Sequence, residues 1–141
     1  MAILIKTGPL KPDATIGTVL RLKEKAYRDP VFGAQERAFI WVDGERNGGK
    51  SSNLFAEGIV LEEPTFDEPG KSDTLIGVKV LLTRVQPERP LNYSADMRPH
   101  KDDPADKLMH SLAEIICKYA HKKITPLTPA QAAFLQSRFE P

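Results

Sequence analysis

Residues 37–58 read RAFIWVDGERNGGKSSNLFAEG. The first six alternate across a pleated backbone, so a strand over 37–42 would show Arg37, Phe39 and Trp41 on one face and Ala38, Ile40 and Val42 on the other. Residues 43–53 are all polar or glycine and form a loop. A second strand follows over 54–61, in which Gly58 marks a bulge or a close approach of another backbone. This strand–loop–strand unit is the most specific feature of the chain.

The best strand lies just downstream, over 74–85, with Ile76, Val78, Val80 and Leu82 facing one way. Upstream, the three apolar residues Ile3, Leu4 and Ile5 followed by Lys6 read as a short first strand. Residues 13–27 are ambiguous between strand and helix. Asp13 suits an N-cap, with Ile16, Val19, Leu20, Lys23 and Tyr27 on one stripe, whereas Gly17 and the β-branched Thr15, Ile16, Thr18 and Val19 oppose a helix. The expectation taken here is a helix.

Punctuation divides the chain in two. All nine glycines lie at or before Gly77, and six of the twelve prolines lie between Pro64 and Pro104. Strands followed by helices are expected, with residues 1–90 β-rich, 91–103 an irregular loop and 104–141 helical, all in one α+β domain. A helix opening at Asp103 or Pro104 and running to about residue 122 would bury Leu108, Leu112, Ile115, Ile116 and Tyr119. A second helix starts at the capping box Thr128-Pro129-Ala130-Gln131 and buries Phe134, Leu135 and Phe139.

Composition excludes several classes. With 141 residues, 40% hydrophobic, 28% charged and a net charge of +1, the chain is an ordinary globular one and lacks the field to hold nucleic acid by bulk charge. The neutrality averages unlike regions. Six acids between Glu57 and Asp73 face one base, Lys71, while Lys118, Lys122 and Lys123 have no acid among them. The longest apolar runs, such as 38–42, are far short of the roughly 20 residues of a membrane span. A single cysteine, Cys117, and an N-terminus without the order of a signal peptide indicate the cytoplasm.

Two chemical signatures need weighing. Residues 44–51 (GERNGGKS) satisfy the phosphate-loop pattern, but that motif requires a helix starting at the lysine. The continuation SNLFAEGIVLEE is a poor helix and a good strand, so the glycines are read as turn residues. On the first back helix His110, Glu114, Lys118 and His121 share a face, with Cys117 at its border. His110 lies too far along for a zinc set with Cys117 and His121. A solvated ridge with a Glu114–Lys118 pair is expected, without metal or cofactor. No nucleophile elbow accompanies any serine, and no catalytic residue is assigned.

The unit over 37–58 resembles the central strands of the PUA-like superfamily, which includes the EVE and ASCH domains. There a strand ending in aromatics leads through a turn to a small-residue strand, A-x-G-x-V, beside the ligand cleft. The matching residues here are Phe39, Ile40 and Trp41, then Ala56, Gly58 and Val60, and the likeness extends over residues 37–90. The glycine–aspartate turn found in many members is absent. The resemblance implies a small, partly open β-barrel with flanking helices that binds RNA or DNA, and in EVE-like members reads a modified base held flipped in an aromatic-lined pocket. A flipped base needs a stacking surface, hydrogen-bonding groups for its edge and cations for the flanking phosphates. On this reading Phe39 and Trp41 stack, Ser51, Ser52 and Asn53 read the edge, Arg37, Arg46, Lys50 and Arg84 meet phosphates, and Tyr93 closes over the pocket. Two other readings stand beside it. An ASCH-like hydrolase acting on a modified nucleoside or RNA would draw on Lys50, Glu57, Lys79 and Tyr93. A protein-interaction domain would use residues 104–141.

Overall fold

The computed structural model describes residues 1–8, 14–25, 32–43, 52–69, 74–118 and 123–141. A 7-stranded mixed sheet is formed by β1 (Ala2–Thr7), β2 (Val19–Lys25), β3 (Arg37–Val42), β4 (Asn53–Val60), β5 (Thr65–Phe66), β6 (Leu75–Val85) and β7 (Ile124–Leu127). The order is β2-β6-β4-β3-β1-β7, with β5 added on β6. Among the described residues, β1 and β3 pair in parallel and the other pairings are antiparallel.

The two ends of this order curl back toward each other. Lys123 N–H, next to β7, donates to the Lys25 carbonyl at the end of β2 at 3.0 Å, and Thr7 Oγ1 of β1 donates to the Glu24 carboxylate of β2 at 2.7 Å. The result is a half-barrel. Its inner face buries Ile3, Ile5, Ala38, Ile40, Ala56, Val60, Ile76, Val80 and Leu82.

A second core covers part of the outer face. Helix α1 (Lys107–Ala113), prolonged by a π-helical turn over Glu114–Lys118, and helix α2 (Pro129–Ser137) pack there. Leu4, Phe39, Trp41 and Leu54 of the sheet meet Leu91, Met97, Leu112, Ile116 and Leu135. Strands β1 and β3 are therefore buried on both faces, which accounts for their nearly unbroken apolar sequence and for the parallel pairing between them. Helix α2 begins as its sequence dictates. Thr128 Oγ1 accepts from Gln131 N–H at 3.2 Å, and the Gln131 side chain accepts from Thr128 N–H at 2.9 Å.

Gly58 stands at a register shift between β4 and β6. A Cβ there would lie 2.5 Å from the Leu81 carbonyl oxygen and from Val80 Cγ1, so the close approach read from sequence is real.

Several expectations need correction. Residues 19–25 are a strand, not part of a helix, because Leu22 turns inward while Arg21 and Lys23 turn out and the whole segment pairs with β6. Before it, a turn closes through Thr18 N–H to the Thr15 carbonyl, with Gly17 at a positive φ of 89°. The stretch 91–103 contains a π-helical turn over Tyr93–Met97 and a 3-10 turn over Arg98–His100. The first back helix starts at Lys107 rather than at residue 103 or 104, capped by Asp106, whose side chain accepts from Met109 N–H. The back third also holds β7, where Pro126 is tolerated because the strand is an edge. On the helix ridge His110 Nε2 meets Glu114 at 2.8 Å. Residues 44–51, with the phosphate-loop string, and residues 119–122, with Tyr119 and His121, lie outside the described residues.

Candidate functional site

One end of the half-barrel gathers the polar ends of several strands. Asp43 N–H donates to the Thr7 carbonyl at 2.8 Å, and Lys6 N–H donates to the Lys123 carbonyl at 2.7 Å. Val42 is paired with Asn53, and Asn53 is bridged to Asn92. Tyr93 N–H donates to the Ser52 carbonyl at 2.9 Å. Lys123 Nζ lies 3.5 Å from the Asp43 carboxylate.

Lys6 is the unusual member. It follows Leu4 on the face covered by α1, and it is paired with Trp41. Its side chain is 2% exposed, and Nζ donates to the Ile115 carbonyl at 2.7 Å. Burial pushes its pKa down from 10.5 to about 8; the Lys123 charge adds to this, and Asp43 and Cys117 oppose it. Beside it, Tyr93 and Cys117 are hydrogen-bonded through their side chains. Burial raises both pKa values, and the thiol raises that of Tyr93 further, while the bond to Tyr93 opposes the rise at Cys117. Amine, phenol, thiol and carboxylate thus stand together in a partly dehydrated setting. Among the described residues no three His, Cys, Asp or Glu side chains are grouped to hold a metal ion.

The residues singled out from sequence divide into two groups. Trp41, Ser52, Asn53 and Tyr93 come together at this end. Trp41 and Phe39, however, are both 0% exposed in the second core. Their faces are used up by packing against Leu4, Leu54 and the helices, so neither ring presents an open stacking surface. Trp41 Nε1 is buried without a hydrogen-bond partner among the described residues. Arg37 and Arg84 lie elsewhere. They flank the Glu57 carboxylate at 3.8 and 3.9 Å, and Arg37 Nη1 donates to Gln136 Oε1 at 2.6 Å. Arg37 stands four residues before Trp41, about 13 Å along the strand. Lys50 and Ser51, with Arg46, lie outside the described residues.

The hydrolase candidates within the described residues are each engaged separately: Glu57 with the two arginines, Lys79 with Glu62 at 2.9 Å and Tyr93 with Cys117. Sequence reasoning missed Lys6, Asp43, Cys117 and Lys123 as neighbours. One signal was present for Lys6, whose spacing from Leu4 sets a charge on an apolar face.

A half-barrel of this strand order, with helices packed on part of its outer face, is the PUA-like fold. Among solved structures, the human THYN1 protein in complex with 5-methylcytosine-containing DNA superposes with a TM-score of 0.63 at 13% identity, covering 99% of this chain and 98% of that one. The NMR structure of Rpa0253 from Rhodopseudomonas palustris gives a TM-score of 0.56 at 16% identity, covering 97% and 91%. No family profile matches the sequence, and no curated protein matches it. No helix among the described residues is long and apolar enough to cross a membrane.

Proposed function

We propose that this chain is a noncatalytic, cytoplasmic nucleic-acid-binding module, one domain over residues 1–141, that takes a single modified base, turned out of its stack, at the Lys6–Asp43–Tyr93 end of the half-barrel. The observation that carries the reading is the fold match, over 99% of this chain, to a protein solved with 5-methylcytosine-containing DNA. The chemistry at that end supports it. Tyr93 is the half-buried aromatic there and serves as the stacking partner. Trp41 and Phe39 form the floor beneath it. Ser52 and Asn53, with Ser51, lie in the segment that addresses the base edge, and the buried amine of Lys6, held on the Ile115 carbonyl, stands behind it. Lys50 meets a flanking phosphate. Arg37 and Arg84 have side chains 42% exposed and meet phosphates further along the strand.

The test is fluorescence anisotropy with short single- and double-stranded DNA and RNA oligonucleotides, each carrying one cytosine or one modified cytosine. One modified oligonucleotide is expected to bind about tenfold tighter than its unmodified counterpart, a difference of about 1.4 kcal/mol. Tyr93→Ala should abolish most of that preference. Uniform, negligible binding across the panel would overturn the proposal.

A further inference from the structure

The outer face of the half-barrel is not covered evenly. The helices pack over β1, β3 and part of β4, whereas among the described residues the outward residues of β2 are exposed and Gly77, Lys79 and Leu81 on β6 are half-buried. On β2 these are Arg21, Lys23 and Lys25, all exposed and all on one face, because Leu22 between them is buried. The register places Arg21 beside Lys79, and Lys23 beside Gly77.

The spacing of this row is set by the pleat. Successive outward residues are about 6.6 Å apart, two steps of about 3.3 Å, close to the separation of neighbouring phosphates along an extended nucleic-acid strand. Among the described residues, carboxylates engage its middle and its neighbour. Lys23 pairs with Asp67 at 3.2 Å and Lys79 with Glu62 at 2.9 Å, both surface pairs of the kind that contribute little. Among the described residues, no ion pair engages Arg21 or Lys25.

The row also points to the base site. It ends at Lys25, whose carbonyl accepts from Lys123 N–H, and Lys123 reaches Asp43 with its side chain. Glu24, adjacent to Lys25, accepts from Thr7. A strand whose base occupied the Lys6–Asp43–Tyr93 end would leave that end next to Lys25.

We infer that the outward face of β2, from Lys25 to Arg21, is a track for the phosphodiester backbone of the strand that delivers the base. This rests on the base-binding reading above and adds an element to it: affinity along β2, selectivity at the barrel end. The division follows from physics, since phosphate contacts fix position and contribute salt-dependent affinity without reading sequence. Cations on an edge strand have another use, guarding against edge-to-edge association, and the experiment separates the two.

The Arg21→Gln/Lys25→Gln double variant is compared with the unaltered chain by anisotropy between 50 and 300 mM KCl. The probes are a 12-nucleotide strand with one modified base near its end, its unmodified counterpart, and a trinucleotide centred on the modified base. Thermal melts and light scattering verify folding and association state, and Arg21→Glu/Lys25→Glu repeats the test with charge reversal. With two phosphates released, the slope of log K against log salt should fall by roughly 1.4 for single strands. Both 12-mers should bind about tenfold more weakly at 100 mM, with their ratio unchanged, and the trinucleotide should bind both proteins equally. An unchanged slope and affinity in a chain that still discriminates the base overturns the track and leaves the base reading intact. Self-association of the variant with unchanged slope also overturns it, assigning the cations to edge protection. Failure of the unaltered chain to bind any probe overturns both.

Discussion

Lys6 Nζ donates a 2.7 Å hydrogen bond to the main-chain carbonyl of Ile115, across the second core. The bond ties β1 to the π-helical turn after α1, and it uses a side chain that burial renders easier to deprotonate. With its pKa lowered from 10.5 to about 8, the folded state releases this proton before the unfolded state does. Between pH 8 and 10.5 the unfolded chain holds more protons, so stability rises with pH across that window.

The comparison is with Lys6→Met, which keeps length and apolar bulk. Relative to this variant, the unaltered chain should gain of order 1–3 kcal/mol on going from pH 7.5 to 10.5. Cys117 and Tyr93 act in the opposite sense above pH 9, because raised folded-state values weaken stability as pH climbs. Both residues remain in the variant, so the difference between the two urea-unfolding curves reports Lys6 together with its coupling to Cys117. A flat difference would show that the amine is not dehydrated.

Glu57 follows the other sign. Burial raises its pKa above 4.5, against the opposing pull of Arg84 and Arg37. A raised folded-state value contributes stability that is fully present below the unfolded pKa and lost as pH rises through the folded one. Glu57→Gln removes the titration while preserving shape. Its melting midpoint should gain on that of the unaltered chain between pH 4 and 7. The reverse trend would mean that the arginine pair outweighs dehydration.

What the sequence revealed, and what it concealed, follows the range of the interactions involved. The β3–β4 unit was readable because a period of two, a polar loop and a strand glycine all act locally. The capping box at Thr128 was readable for the same reason. Residues 19–25 were misread because Val19, Leu20 and Lys23 also fit a helical stripe; pairing with β6, more than fifty residues away, decides the matter. Strand β7 was hidden by Pro126, which is harmless only on an edge. The alternation in β3 put Phe39 and Trp41 on one face, but nothing near them announced that α1 and α2 would cover it. The candidate site was half readable. Ser52, Asn53 and Tyr93 converge, whereas Lys6, Asp43 and Lys123 are neighbours only through tertiary structure.

Two glycines offer a contrast in steric tolerance. A Cβ at Gly58 would meet the Leu81 carbonyl oxygen and Val80 Cγ1 at 2.5 Å, and that backbone cannot turn away. Gly58→Ala should cost about 1–3 kcal/mol. At Gly77 the nearest obstacle, also at 2.5 Å, is Thr65 Oγ1, a hydroxyl on an exposed residue of β5 that can rotate aside. Gly77→Ala should stay within about 1 kcal/mol of the unaltered chain, because the strain is small and a strand interior favours alanine over glycine. Equal losses at both positions would rule out the close β4–β6 approach as the cause.

Trp41 and Tyr93 separate packing from binding. Trp41→Ala leaves a cavity among Leu4, Phe39 and Leu54 and should cost about 3–5 kcal/mol, as for other large aromatics in cores. Trp41→Phe retains an aromatic ring in that core, and the only polar group it deletes is an N–H without a partner among the described residues. It should therefore cost clearly less than Trp41→Ala, because it leaves a smaller cavity, and leave affinity for a modified-base oligonucleotide nearly unchanged. Tyr93 is half-buried at the barrel end, so Tyr93→Ala should affect binding more than folding. One stacked base corresponds to about 1–3 kcal/mol on alanine substitution, or about 5- to 150-fold in Kd. Anisotropy titrations paired with urea melts measure both quantities on the same samples. If Trp41→Phe lost as much affinity as Tyr93→Ala, the indole would have to meet the base directly, and the second core would have to open on binding.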